Sequence, residues 1–262
     1  MRITFFTLKR DFRFHLSNKL SPLRIVIWVK EFLFSLLSDF LCLFFPRICA
    51  GCGSILLKNE EMICIYCEYH LPHTNFHLSL DNPVHSLFCG KVTLASAAAY
   101  LYFNKGSKVQ HLIHELKYKG RKDIGIWLGK QYGNELKNSS YFNAVQLIIP
   151  IPLHDKRLKQ RGYNQSEQFA IGMGASMSIP VASDALYRNK ETATQTKKSR
   201  FHRWQNVADV FTVRNPAGLE MKHILLVDDV ITTGATLESC IGTLSSIKGI
   251  RISVATIAVA PI

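Results

Sequence analysis

Two carboxylates stand side by side at the end of an apolar run, and a series of small and hydroxyl-bearing residues follows. The stretch 223–236 reads H-I-L-L-V-D-D-V-I-T-T-G-A-T. Asp228 and Asp229 suit a pair of sugar hydroxyls, because ionised carboxylates only accept hydrogen bonds and two adjacent ones can serve a vicinal diol. Thr232, Thr233, Gly234, Ala235 and Thr236 make a turn without bulky side chains. Backbone N–H groups and hydroxyls can close around a phosphate there. A helical pattern begins near Leu237 and aims its positive end at the same anion. These features describe a pocket for a ribose carrying a 5′-phosphate. The alternative is an ordinary strand–turn–helix with an acidic tip, although a ligand-free fold has no reason to set two acids ahead of a T-T-G turn.

Four of the seven cysteines fall as Cys49-x-x-Cys52 and Cys64-x-x-Cys67, with eleven residues between the pairs. Each C-x-x-C makes a knuckle whose thiolates chelate one ion, and two knuckles supply a closed tetrahedral shell. The expected ion is structural Zn²⁺, since four protein ligands leave no open position. Gly51 and Gly53 fit the turn that a knuckle requires. Two disulfides are the alternative, which a cytosolic setting disfavours. Cys89 is a fifth candidate without a partner at knuckle spacing, and Cys42 and Cys240 read as small buried hydrophobes. Pro46 and Pro72 bracket this unit, which is too small to fold on its own core. The metal is therefore expected to supply much of its stability.

The segment 152–165 reads P-L-H-D-K-R-L-K-Q-R-G-Y-N-Q and holds Lys156, Arg157, Lys159 and Arg161, four cations in six residues. At a strand exit such charge suits a pyrophosphate, which arginine grips with two parallel hydrogen bonds. A solvated basic loop is the alternative. The polar stretch 188–206, with Arg188, Thr192, Gln195, Lys197, Lys198 and Arg200, reads as a lid that shields a reactive centre from water.

The elements that must position these groups follow from periodicity. Residues 96–103 read as a strand, and 107–118 and 123–137 as helices. Residues 145–151 form a continuous apolar run, the mark of a strand buried on both faces. A helix over 164–177, the strand 224–229, its helix, and a last strand at 252–260 complete an α/β order with a parallel central sheet. Ligands of such sheets sit at the C-terminal strand edge, which puts 152–161 and 228–236 on one rim.

At 262 residues, 47% hydrophobic and 19% charged, the chain is globular, with room for one main domain and a small appendage. The formal net charge of +13 points to anionic partners, phosphorylated small molecules or nucleic acid, without choosing between them. The window 25–45 is interrupted by Lys30, Glu31 and Asp39, so no membrane span is expected. From Glu31 onward Leu33, Leu36, Leu37, Phe40, Leu41 and Phe44 recur at helical spacing. They read as an amphipathic helix packed on the protein or, less simply, lying on a membrane surface. No export signal is evident, so a cytoplasmic location is expected.

The run 224–236 resembles the 5-phosphoribosyl-1-pyrophosphate (PRPP) motif of type I phosphoribosyltransferases, continuously over thirteen residues. The order of features narrows the match. The double knuckle at 49–67, L-I-H-E-L-K-Y-K-G at 112–120, I-P-I-P-L-H at 149–154 and R-L-K-Q-R-G-Y-N-Q at 157–165 together resemble the ComF competence family. The spaced Arg188, Thr192, Gln195, Arg200 and Asn206 belong to the same likeness, which runs from about Phe44 to the C-terminus. It implies a type I phosphoribosyltransferase fold with a parallel central sheet, preceded by a small Cys₄ zinc ribbon. The expected divisions are 1–45 as an N-terminal extension with its amphipathic helix, 46–90 as the ribbon and 91–262 as the phosphoribosyltransferase-like domain.

By the same resemblance, Asp228 and Asp229 hold the ribose hydroxyls and Thr232 to Thr236 cradle the 5′-phosphate. Arg157, Arg161 and Lys117 sit near the pyrophosphate, and Mg²⁺ bridges pyrophosphate and ribose oxygens. Implied partners are PRPP, single-stranded DNA entering during natural transformation, and a DNA-translocating helicase. Two other readings stay open: a non-catalytic nucleic-acid- or helicase-binding adaptor with a vestigial PRPP pocket, and a nucleobase salvage phosphoribosyltransferase. The extension 1–45 departs from the family pattern.

Overall fold

The computed structural model describes residues 44–188 and 210–261, and before them residues 30, 33, 36 and 40. The chain divides into two compact units, Met1–Arg47 and Ile48–Ile262. In the first, Lys30, Leu33, Leu36, Phe40 and Phe44 are helical and exposed, with the Phe40 and Phe44 rings edge to face at 5.3 Å. Leu37 and Leu41, expected on the same face, lie outside the described residues. Among the described residues no helix is long and apolar enough to cross a membrane.

The second unit opens with the cysteine segment and a short helix, α1 (Ile65–Tyr69), followed by α2 (Pro83–Ser86). Then come β1 (Ser96–Tyr102), α3 (Lys108–Tyr118), α4 (Lys122–Lys137) and β2 (Leu147–Pro150). Helices α5 (Asp155–Arg161) and α6 (Gln165–Met177) lead to two short strands, β3 (Leu186–Arg188) and β4 (Phe211–Val213). The chain ends with β5 (His223–Ile231), α7 (Ala235–Leu244) and β6 (Arg251–Val259). Strands β1, β6, β5 and β2, in that spatial order, form one parallel sheet, as expected, while β3 and β4 pair antiparallel apart from it.

Side chains of a strand alternate between faces, so the sheet divides the core in two. Ala98, Ile148, Leu225, Val227 and Ala255 join the buried residues of α3, α4 and α6 on one face. Ala99, Ile149, Ile224, Leu226 and Val254 join Leu237, Cys240, Ile241 and Leu244 of α7 on the other. Helices α4 and α6 cross in close backbone contact. A Cβ on Gly129 would meet the Phe169 carbonyl oxygen at 2.1 Å, and one on Gly172 would meet that of Ile126 at 2.1 Å. The cysteine segment shares this core: Cys49, Met62, Ile63 and Cys67 belong to the same buried cluster as Leu112, Leu116 and Leu128.

The ladder ends unevenly, and this step makes the site. β2 stops at Pro150, which pairs with Val227. Ile151 N–H adds one more bond to the Val227 carbonyl at 2.8 Å. β5 and β6 run on, pairing Asp228 with Thr256 and Val230 with Ala258. Beyond Val227, then, the β2 side of β5 has no strand partner among the described residues where the acids sit.

Three boundaries differ from the sequence reading. β5 continues through Val230 to Ile231, because those apolar residues still pair with β6. Helix α7 starts at Ala235, two residues before Leu237. The basic segment after β2 is mostly helix rather than loop. His154 caps α5 by accepting from Lys156 N–H at 3.2 Å, and Gly162, with φ of 76°, ends it. The expected lid at 188–206 lies, apart from Arg188, outside the described residues.

Candidate functional site

A cavity of about 460 Å³ opens at the C-terminal edge of the sheet, within the range of small-molecule sites. Every strand of the parallel sheet reaches it: Phe103 after β1, Ile151 and Pro152 after β2, Asp228 to Val230 of β5, and Ala260 after β6. β5 and the turn into α7 place Asp228, Asp229, Thr232 and Thr236 on its wall. Helix α3 adds Lys117 and helix α5 adds Arg157 and Arg161. Thr233, Gly234 and Ala235 form the turn between Thr232 and Thr236 without lining the cavity. Gly234 adopts φ of 76°, and its Cα faces the Phe88 ring, which a Cβ would approach to 3.2 Å. That turn delivers the chain into α7, whose first N–H groups have no partner within the helix.

The two acids are held differently. Asp228 Oδ1 accepts from Ser166 Oγ at 2.9 Å and from Asp229 N–H at 2.8 Å. Among the described residues its Oδ2 has no hydrogen-bond partner. Burial, reinforced by the neighbouring Asp229 charge, pushes the Asp228 carboxyl up to about 7. Ser166, the Asp229 amide and Lys117 pull the other way. Asp229 Oδ1 accepts from Val230 N–H at 2.6 Å, and its Oδ2 lies 2.8 Å from Lys117 Nζ. That ion pair is mostly shielded, with side-chain exposures of 19% and 16%, so it is weakly screened by solvent. Lys117, expected near a pyrophosphate, therefore rests on Asp229, the acid expected to bind ribose, in this structure.

The segment R-G-Y-N-Q, residues 161–165, carries a physical task at each position. Arg161 Nη1 donates to Gln165 Oε1 at 2.8 Å, and its guanidinium lies 5.4 Å from the Tyr118 ring centre. Gly162 terminates α5. Tyr163 Oη donates to the Leu116 carbonyl of α3. Asn164 Nδ2 donates to the Ile151 carbonyl at 2.9 Å, while its Oδ1 caps α6 by accepting from Ser166 N–H at 3.1 Å. The segment thus ties α3, the exit of β2 and the start of α6 together around the cavity.

The sequence reading missed Ser166, and it gave no pocket role to Gln110, His114 or Tyr118, which line the cavity together with Arg188. Ser166 follows the 157–165 run directly, but nothing in its own neighbourhood in sequence points to Asp228, 62 residues away. Gln110, His114 and Tyr118 recur every four residues, a spacing that marks one helix face.

The second cluster lies in the cysteine segment. The Sγ atoms of Cys49, Cys52, Cys64 and Cys67 lie within 4.8 Å of one another, and those of Cys52 and Cys64 are 3.7 Å apart. A tetrahedral zinc with bonds of about 2.3 Å sets sulfurs roughly 3.8 Å apart, so the four thiols fit a structural metal. Gly51 and Cys64 N–H point at Cys49 Sγ from 3.3 and 3.2 Å, as donors to a thiolate would. The Ser54 hydroxyl draws the Cys52 thiol down to about 6, whereas burial pushes Cys64 and Cys67 up. Glu60 braces the second knuckle by accepting from Leu57 N–H at 2.7 Å and Ile65 N–H at 2.8 Å. Cys89 is exposed and outside the cluster, and Cys240 is buried, as expected.

No protein-family model matches the chain. Competence protein F of Haemophilus influenzae is 32% identical over 207 residues, covering 74% of this chain and 89% of that protein. Competence protein ComFC of Bacillus subtilis is 32% identical over 198 residues, covering 70% and 77%. DNA utilization protein YhgH of Escherichia coli K12 is 28% identical over 201 residues, covering 72% and 80%. Among solved structures, glutamine PRPP amidotransferase of B. subtilis, complexed with ADP and GMP, overlaps 54% of this chain and 30% of its own. Its identity is 20% and its TM-score 0.37. A purine phosphoribosyltransferase of Pyrococcus horikoshii overlaps 56% and 78%, at 20% identity and a TM-score of 0.33.

Proposed function

The chain belongs to the ComF competence family, and from that premise we propose that it is a PRPP-binding, phosphoribosyltransferase-like protein of DNA uptake in natural competence. The observation that carries the reading is the shared cavity. Two half-buried acids stand beside a T-T-G-A-T turn, with Lys117, Arg157, Arg161 and Arg188 on the adjoining walls. Asp228 and Asp229 receive the 2′- and 3′-hydroxyls of ribose. Thr232, Thr233, Gly234, Ala235 and Thr236 receive the 5′-phosphate on the N-terminus of α7. Arg157 and Arg161 hold the pyrophosphate, and Lys117 joins them when the ribose displaces it from Asp229.

Among the described residues Asp228 and Asp229 are the carboxylates that line the cavity; Mg²⁺ brought by the ligand would be held beside them and would supply charge neutralisation. A site of this kind suits displacement of pyrophosphate at the anomeric carbon, with the leaving charge stabilised by the fixed cations. The four cysteines hold structural Zn²⁺. Residues 46–90 act as the ribbon, 91–262 as the phosphoribosyltransferase-like domain and 1–45 as an extension. Single-stranded DNA and a DNA-translocating helicase are the proposed macromolecular partners, consistent with the net charge of +13.

Calorimetry with PRPP and Mg²⁺ tests the pocket. Replacing both acids, Asp228→Ala with Asp229→Ala, removes acceptors worth roughly 1.5–3 kcal/mol each, so the affinity should fall at least about tenfold. Unchanged affinity in the double variant sinks the assignment. The same preparations, titrated with fluorescent single-stranded DNA at low and high salt, test the DNA arm. Weak binding that steepens as salt falls is expected, and none at about 50 mM salt moves the DNA contact to the helicase.

A further inference from the structure

We propose that Phe88 and Lys91, on the segment that joins the cysteine unit to the sheet, are positioning residues for the turn 232–236: Phe88 holds the turn from behind, and Lys91 cancels the charge of Glu238 in the first turn of α7. The inference rests on the PRPP reading, since it says what keeps that reading's 5′-phosphate cradle in shape.

The segment is anchored before it reaches the turn. β1 is an edge strand of the parallel sheet, and the chain leaving the cysteine unit lies along it. Tyr102 N–H donates to the Pro72 carbonyl at 2.9 Å, and Thr74 N–H to the Tyr100 carbonyl at 3.0 Å. Asn82 is buried; its Nδ2 donates to the Ala97 carbonyl of β1 at 3.0 Å, and its Oδ1 accepts from His85 N–H at 3.0 Å and so caps α2. Beyond this anchor Phe88 enters the α7 face of the core, buried in one cluster with Ile231 and Leu237. Those two residues flank the turn on either side in the chain. A Cβ on Gly234 would lie 3.2 and 3.3 Å from the Cε1 and Cζ atoms of Phe88 and 3.8 Å from Ile231 Cδ1. The ring therefore fills the space where a side chain would stand, at the residue whose φ of 76° swings the chain into α7. Without the ring, the first N–H groups of α7 lose the support that fixes their direction.

Glu238 supplies the charge argument. An acid in the first turn suits an empty helix but repels an arriving phosphate. Lys91 Nζ lies 3.7 Å from Glu238 Oε2 and offsets that repulsion. With side-chain exposures of 49% and 38%, the pair has a small and salt-sensitive effect. Neither Phe88 nor Lys91 lines the cavity, so both act through the turn and not on the ligand.

The test uses the full-length protein with Mg²⁺ and three probes: PRPP, ribose 5-phosphate and pyrophosphate. Calorimetry follows binding, and hydrogen exchange reads the ligand-free turn. Phe88→Ala should weaken PRPP and ribose 5-phosphate at least about tenfold and leave pyrophosphate unchanged. Exchange across 232–237 should quicken relative to α4. Phe88→Met refills most of the space and should recover most of both losses. Should Phe88→Ala fail to fold, Phe88→Leu takes its place with the same pattern at smaller amplitude. Lys91→Ala should weaken ribose 5-phosphate roughly twofold at low salt, and Glu238→Gln in the same chain should cancel that loss. A role in packing alone does not produce such a reversal. Unchanged binding in the Phe88 variants overturns the proposal, as does equal weakening of all three probes, which makes Phe88 a core residue only. A Lys91→Ala loss that survives Glu238→Gln overturns the part assigned to Lys91. If neither PRPP nor ribose 5-phosphate binds the wild type while exchange at 232–237 still responds to Phe88, the positioning stands and the PRPP reading falls. If PRPP binds and the turn ignores Phe88, the PRPP reading stands and the positioning falls.

Discussion

Four sulfurs drawn from residues 49–67 converge within 4.8 Å of one another, whereas the acids and cations of the cavity come from α3, α5, β3 and β5, elements far apart in the chain. Both regions gather ionisable groups, but they leave opposite valences. In the cysteine cluster the four sulfurs converge, and as thiolates they would satisfy one metal with nothing left over. In the cavity the donors satisfy one another only in part. Lys117 neutralises Asp229, and Ser166 and an amide occupy one oxygen of Asp228, while among the described residues its other oxygen has no hydrogen-bond partner. A closed shell stabilises a fold, and an incomplete one binds something that comes and goes.

The largest expected effect is at the closed shell. Cys64→Ser should reduce bound zinc from about one equivalent to near zero. Structural zinc in small units contributes about 10–16 kcal/mol of apparent binding energy near neutral pH. The four ligands' neighbours Met62 and Ile63 share a buried cluster with Leu112, Leu116 and Leu128, so the thermal midpoint of the whole unit should fall, with loss concentrated in the ribbon. Metal analysis and melting with and without chelator check this. Less than half an equivalent of zinc in the wild type, with the cysteines found as disulfides, would break the contrast between the two regions.

The open shell should cost stability rather than add it. Burial lifts Asp228 from an ordinary carboxylate value near 4 to about 7. Between those pH values the folded protein holds a proton that the unfolded chain has released, so this group's contribution to stability declines as pH rises and is lowest above 7. Asp228→Asn should therefore raise the thermal midpoint at pH 8, by roughly 2–4 °C for each kcal/mol relieved in a domain of this size, and change little at pH 4. Paired melts at the two pH values give the answer; a variant that is less stable at pH 8 would place Asp228 among the stabilising groups instead.

The smallest effect concerns the residue that orients Asp228. Ser166→Ala removes one hydrogen bond to a carboxylate, and with it an influence that lowers the Asp228 pKa. PRPP affinity should weaken severalfold, in line with about 1 kcal/mol. Its pH profile should move upward, a change that loss of packing alone does not produce. Affinity measured from pH 6 to 8 sharpens the comparison, and an unmoved profile removes Ser166 from the site.

Much of this was legible in the chain itself. The knuckles are legible because metal geometry can be satisfied within short stretches of backbone, and the strand and turn at 223–236 because the acids and the expected phosphate cradle are contiguous. Even the cations at 156–161 declare their chemistry by type. Their helix does not, since α5 depends on a His154 cap, a left-handed Gly162 and the anchors Tyr163 and Asn164, each bonded to a partner outside the segment.

Residue types and their spacing along the chain announce the expected chemistries: a thiolate cage, a diol-and-phosphate motif, and a basic exit from β2. How they meet is set by the packing of distant elements. The early stop of β2 at Pro150 frees the acid-bearing edge of β5. The crossing of α3 over the rim sets Lys117 on Asp229 and turns Gln110, His114 and Tyr118 into a wall. The physical reason is range. Metal chelation and helix-terminus phosphate binding act between neighbours in the chain, whereas strand order and register bring together residues more than a hundred positions apart, and no local pattern encodes which of them will touch.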